Sequence, residues 1–323
     1  MDSPAGVGVR HSRADMPMRF TLRQLEYFVA TCDAGSVTEA ALNIPVAQSS
    51  VSAAIAQLES ALGVQLLIRH HAQGISTTPA GRQFLVHARA LMQQADDLQR
   101  FASELTDEIS GTLELGCLVT LAPLVMARLC QTFMDRYPNV EIAMTEAGQD
   151  DLMSGLRTGQ LTIALTYDLE IAADMQFQKL SSLPPYALLS AGHPLATRDQ
   201  VTLAELVELP MVMLDLPLSR DYFMSLFLVA GLEPTVAQRT PHMEVLRALV
   251  GSDFGYSILN ARSLNTSALD GRALASVPIA GDVRPMTVGL VTRAAARSTR
   301  LAHAFEAHCR EVVAAGEIPA LSG

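Results

Sequence analysis

The sequence predicts an α/β protein led by an N-terminal all-α winged helix-turn-helix, followed by one long linker helix and a two-lobed α/β region. Three observations predict it. Apolar residues follow helical spacing in three short segments between Leu22 and Leu62, and two short extended runs around a polar turn at Gly74 come next. An unbroken heptad pattern then runs from Phe84 to Ile109. Beyond "ISGTLELGC", apolar strands alternate with helical segments almost to the end of the chain. With 323 residues the chain exceeds what one core usually organises, so it should divide into domains.

The first helix, near residues 22–34, carries Leu22, Leu25, Phe28 and Val29 at helical spacing and stops at Gly35. "SVTE" then reads as a capping box between Ser36 and Glu39, opening a short helix that Pro45 ends. The third helix lies in "VAQSSVSAAIAQLESALG", with Val51, Ile55, Leu58 and Leu62 as its buried stripe and Gly63 as its stop. Its polar start, with no lysine or arginine and with Glu59 as its one charge, is a puzzle for a helix shaped to enter a DNA groove. "VQLLIRHHAQGISTTPAGR" supplies a two-stranded wing, and Thr78-Pro79 opens the long helix. There Phe84, Ala88, Leu91, Ala95, Leu98, Ala102, Leu105 and Ile109 recur at spacings of four and three. No second long helix exists to receive this seam, which predicts pairing with a second copy of the chain. The strands and helices that follow predict a parallel sheet with helices on both faces, two lobes, and a ligand cleft between them.

Composition narrows the function. The chain is 49% hydrophobic and 17% charged, as in a folded globular protein, and its net charge of −10 excludes one that coats nucleic acid over its whole surface. Lys179 is its single lysine. Cys32, Cys117, Cys130 and Cys309 lack metal-type spacing and read as reduced thiols, and the adjacent His70 and His71 lack ligand spacing too. No GxSxG, Gly-rich phosphate loop or HExxH occurs, so we expect no catalytic residues, no metal, no cofactor and no enzyme activity. Residues 1–19 do not read as a signal peptide and no apolar run reaches membrane length, so a cytoplasmic location without a membrane partner is expected.

Taken with "LRQLEYFVA…GSVTEAA", "QSSVSAAIAQLESALGVQLLIR", "TTPAG", "FMDRYPNVEIAMTE", "LRTGQLTIAL" and "HPLA", the chain resembles the LysR-type transcriptional regulators over residues 20–312. The resemblance implies a disordered arm at 1–19, a winged helix-turn-helix at 20–78, and a linker and dimerisation helix at 79–110. It further implies a periplasmic-binding-protein-like (type 2) effector domain, with lobe I at 111–181 plus 287–312, lobe II at 182–286, and a tail at 313–323. Implied partners are double-stranded promoter DNA, a small-molecule effector, further copies of the chain up to a homotetramer, and RNA polymerase.

The family's DNA-facing positions fall on Gln48, Ser49, Ser50, Ser52 and Ala53, with Arg69 in the wing. The Ala53 position and the wing are often basic in the family, so the phosphate-neutralising contribution of one module should be small here. Effector positions fall on Thr120, Tyr167, Ser219, Arg220 and His242, and Arg220 could clamp a carboxylate. The competing reading of Arg220 is an ion pair with Asp215 or Asp221, and that of His242 is a helix-start neighbour. The family commonly has Asp at the Thr162 position. Two further alternatives are a thiol-based sensor using Cys117 and Cys130, in which no basic residue flanks Cys117 to support its thiolate, and a small-molecule-binding protein without a regulatory role.

Overall fold

The computed structural model describes residues 19–44, 46–70, 74–103, 109–294 and 299–321. The predicted arm, apart from Arg19, lies outside them. The chain divides into two compact units, Met1–Asp96 and Asp97–Gly323.

In the first unit, α1 (Leu22–Ala34) starts with a capping box that the sequence reading overlooked. Thr21 and Gln24 satisfy each other's backbone donors, and Gly35 at φ 63° closes the helix. For α2 (Val37–Asn43) only half of the expected box forms, with Ser36 Oγ accepting from the Glu39 N–H. α3 (Gln48–Leu62) turns Val51, Ile55 and Leu58 inward and ends at Gly63 in the left-handed region. β1 (Leu67–His70) and β2 (Gly74–Thr77) pair antiparallel as the wing. Glu59 now has a structural purpose. Its Oε1 accepts the N–H groups of Leu66 (2.7 Å) and Leu67 (3.0 Å), fixing the start of the wing by two charge-assisted hydrogen bonds.

α4 (Pro79–Ser103) opens on Thr78, whose Oγ1 accepts the Gly81 N–H at 2.8 Å. The expectation that its whole seam serves a second copy needs correction. Ala88 is 2% exposed within this unit's core, and the Phe84 ring packs edge-on against Phe28 with centroids 5.5 Å apart. Those two positions bury α4 against its own helices because the seam's first turns run beside α1. Leu91 and Leu98 are 37% and 69% exposed. Nothing is described of the Ala102 and Leu105 side chains.

The second unit holds both lobes. Lobe I is a five-stranded sheet in the order β4-β3-β5-β12-β6, from β3 (Gly111–Leu118), β4 (Val140–Ala147), β5 (Ile163–Tyr167), β6 (Met175–Leu183) and β12 (Met286–Arg293). It is mixed, not parallel as predicted. β3 pairs parallel with β4 and β5, whereas β12 lies antiparallel between β5 and β6. β12 is the segment that re-enters from lobe II, so it runs against its neighbours. Helices α5 (Ala122–Arg136), α6 (Gln149–Thr158) and α10 (Arg300–Ala314) pack on this sheet.

Lobe II centres on β7 (Tyr186–Ser190), antiparallel to β10 (Ser257–Leu259) and β11 (Leu274–Pro278). A Met211–Tyr256 bridge extends it to β8 (Met211–Leu214), which pairs parallel with β9 (Val236–Thr240). Helices α7 (Leu203–Leu206), α8 (Pro217–Val229) and α9 (Met243–Gly251) belong to this lobe. β6 runs on to Leu183 and β12 begins at Met286. The supposed tail is folded: Ile318 and Leu321, each 1% exposed, join the lobe I core because their apolar side chains have the α5 side of the sheet to cover.

Candidate functional site

Burying Val51, Ile55 and Leu58 leaves the opposite side of α3 to solvent, so Gln48, Ser49, Ser50 and Ala53 are exposed and Ser52 is half-buried. No side chain caps the α3 N-terminus at Ala47. Its first backbone N–H groups, which helix geometry leaves without intrahelical partners, therefore stand beside the serines as donors for an anion. Among the described side chains, the arginines of this unit are largely engaged within it. Arg23 Nε donates to the Tyr27 hydroxyl at 2.7 Å, Arg82 Nη1 to Thr77 O at 3.2 Å, and Arg89 pairs with Asp33. Arg69 stands in β1 opposite Ile75, with its side chain outside what is described.

In the second unit, loops at the ends of lobe I strands meet α8 and the β10 end of lobe II around two adjoining cavities. The larger, about 160 Å³, is lined by Leu118, Val119, residues 148–151, Leu169 and residues 216–218. The smaller, about 20 Å³ and so roomy enough for one small polar group, is lined by Thr120, Leu214, Phe223, Met243, residues 259–261 and Met286. Tyr167 and Ser219 line both. Each is deeply buried, Tyr167 at 5% and Ser219 at 7% exposure. Burial raises the Tyr167 phenol above its ordinary pKa, with the buried Tyr186 adding to the shift and the Thr120 hydroxyl opposing it. Thr120 Oγ1 nonetheless makes no hydrogen bond of normal geometry, so its donor capacity remains open.

The fold thus brings together three of the five expected effector positions, Thr120, Tyr167 and Ser219. Arg220 and His242 line neither cavity. Arg220 bonds to Asp215 at 2.9 Å and to Asp221 at 3.2 Å. These nearby acids commit its guanidinium to its own chain, so the carboxylate clamp gives way to the ion-pair reading. His242 is exposed at the start of α9 and makes no side-chain cap. The sequence reading missed two residues. Gln149 donates to Leu169 O at 2.9 Å and accepts from Thr166, tying α6 to β5. Asn260 is 6% exposed at the end of β10. Thr162 bonds through its backbone to Glu114 O at 2.8 Å.

Residues 22–82 match the family model described as bacterial regulatory helix-turn-helix protein, lysR family, and residues 106–314 match the LysR substrate binding domain. The chain belongs to the LysR family of transcriptional regulators. This LysR regulator is similar to HinK of Pseudomonas aeruginosa, a LysR family transcriptional regulator of known structure. The likeness is 36% identity over 91% of this chain and 98% of that one, with a TM-score of 0.63. It is 29% identical to the HTH-type transcriptional regulator BsdA of Bacillus subtilis, over 74% of this chain and 83% of that one. A hydrogen peroxide-inducible genes activator of Pectobacterium carotovorum is 28% identical over 75% of this chain and 80% of its own.

Its cysteines lie in apolar surroundings. Burial pushes the Cys130 thiol up to about 11 and, with Asp33 adding to it, Cys32 up to about 12. Cys117 and Cys309 are raised further, first by burial and then by neighbouring cysteine. All four thiols are free.

Proposed function

We propose that this LysR regulator reads a promoter site with the exposed edge of α3 and changes its grip on DNA when a small molecule occupies the cleft between lobes I and II. The observation that carries the reading is the pairing of these two features in one chain. One is a helix whose polar N-terminal edge faces outward; the other is a largely apolar cleft with a few hydroxyl and amide groups. Gln48 reads an adenine edge bidentately, while Ser49, Ser50, Ser52 and the open helix N-terminus contact phosphates. With few free cations per module, affinity rests on several modules acting on one DNA, so the functional species is a dimer paired through the outer part of α4, or a tetramer of such dimers.

Replacing Gln48 with Ala should relax base preference at one position of each half-site by about tenfold, whereas Arg69→Ala should weaken all sequences alike. Fluorescence anisotropy on a set of promoter variants checks both. Binding by the Gln48→Ala protein with unchanged affinity and unchanged base preference would refute this placement of α3.

The hydrogen peroxide-inducible relative invites a thiol-sensing reading for Cys117 and Cys130, and their chemistry opposes it. A nucleophilic cysteine needs a lowered pKa and access, and these thiols have a raised pKa and little access. In the folded protein Cys117 and Cys309 should stay silent to a thiol reagent at neutral pH. Brief treatment with hydrogen peroxide should leave four thiols countable after denaturation. Loss of two thiols with retention of the fold would restore the sensor reading.

A further inference from the structure

We propose that the cleft takes a non-anionic small molecule that donates a hydrogen bond from an amide or amine N–H to Asn260 in the smaller cavity, its apolar body lying against Leu118, Leu169 and Leu216 in the larger one. The proposal rests on the effector-cleft reading above and adds the chemistry of the ligand.

The hydrogen bonds around Asn260 leave one unmet demand. Asn260 Nδ2 donates to Leu183 O at 2.8 Å and to the Tyr222 hydroxyl oxygen at 3.2 Å. Leu183 O is an acceptor only, which fixes the amide's orientation. The Tyr222 O–H donates in turn to Arg284 O at 2.6 Å, so its oxygen is left to accept from Asn260. Both amide donors are therefore spent on the segments where the chain crosses between lobes. What remains is Oδ1, an acceptor that is buried and has no partner among the described residues, on a residue that lines the smaller cavity. A ligand N–H satisfies that atom. A carboxylate brings only oxygens to it, setting acceptor against acceptor.

Among the described residues, Asp150 and Asp151, in the first turn of α6, are the charged side chains lining the larger cavity, and no Arg, Lys or His lines either cavity. On their own these acids would need no explanation beyond the positive end of α6. The uncapped N-termini of α6 and α8 both open on the larger cavity, so these acids offset its positive field, and selection against an anion rests on the buried, unmatched acceptor. The hydroxyls of Ser219 and Thr120 supply donors for an amide carbonyl, so a primary amide finds a complement at both of its ends.

The test is calorimetric titration of the full-length protein with benzamide, N,N-dimethylbenzamide, benzylamine and benzoate, which share a ring body and differ at the polar end. Benzamide or benzylamine should bind more tightly than benzoate, and removing both amide N–H groups in the dimethyl analogue should cost about tenfold. That tenfold difference should vanish in Asn260→Ala. The ligand-side comparison needs no variant, so it stands even if Asn260→Ala fails to fold. Tighter binding of benzoate, no binding by either donor probe, or equal binding of benzamide and its dimethyl analogue would overturn the proposal. Ser219→Phe, which fills both cavities, separates this failure from failure of the cleft reading. If benzoate binds and Ser219→Phe abolishes it, the cleft stands and the donor chemistry falls. If Ser219→Phe leaves the tightest probe unaffected, the cleft reading falls as well.

Discussion

Gly81→Ala is expected to unfold the N-terminal unit and abolish promoter binding while the lobes keep their own melting transition. Gly81 is the third residue of α4, and a Cβ placed there would sit 2.0 Å from Leu66 O and 2.9 Å from its carbonyl carbon. Both are backbone atoms, and Leu66 has no room to retreat. Its oxygen accepts the Thr78 N–H at 2.9 Å, its N–H is held by Glu59, and its side chain is 1% exposed in the core. Overpacking against pinned backbone lies at the upper end of its usual range, about 3 kcal/mol or more. That is a large share of the stability of so small a unit. Calorimetry of the full chain, with anisotropy on promoter DNA, checks it. A Gly81→Ala protein that melts and binds like the parent would show that the α4 start can shift away from the wing.

The same close approach shows what the sequence could and could not convey. "TTPAG" announced a helix start, because Thr78, Pro79 and the small residues after them are local signals. It did not say why glycine stands at position 81, since the contact is made by a backbone oxygen fifteen residues earlier. Apolar periodicity placed α1, α3 and α4 well, yet a heptad stripe records only that a face will be covered. Phe84 and Ala88 are covered by the chain's own α1 and α3, so the stripe changes partner part-way along. Glu59 looked misplaced as a charge near DNA and proved to be a clasp on the wing. Strand direction was equally hidden. "MTVGLVTR" reads alike whichever way it runs, and only the return from lobe II makes β12 antiparallel.

At the cleft, Thr120, Tyr167 and Ser219 were legible through the resemblance, because each follows a recognisable strand or opens a helix. Asn260 had no such marker. Its partners Leu183 and Tyr222 lie 77 and 38 residues away, and "LNARS" carries no periodic or motif signal. Arg220 failed for the opposite reason. A cation near a cleft suggests an anionic ligand, but acids five positions before it and one position after it satisfy it first. Sequence identifies the charge; the local competition for it needs coordinates.

Leu98→Glu should dissociate the paired form of this regulator and remove most of its promoter affinity. Leu91 and Leu98 stand one heptad apart on α4, with Ala95 between them, and at 37% and 69% exposure neither is covered by its own chain as Phe84 and Ala88 are. Leaving Leu98 in water forgoes much of the roughly 1.5–3 kcal/mol that full burial of a leucine supplies, and Leu91 a smaller part, which a second α4 packed alongside would recover. A glutamate at 98 reverses the balance. Each copy would bury an unpaired carboxylate near its counterpart, at about 3 kcal/mol or more per charge, enough to weaken association by a hundredfold or more. Because Leu98 is largely exposed within its own chain, the melting of each unit should barely change, and the loss should fall on assembly alone. Promoter binding should fall with it, since a single module with few free cations lacks the effective concentration that pairing supplies. Sedimentation velocity on the parent, on Leu98→Glu and on the conservative Leu98→Met measures this directly. A Leu98→Glu protein that sediments as the parent does would move the pairing surface off α4. Dissociation with promoter affinity intact would instead show that one module binds DNA unaided.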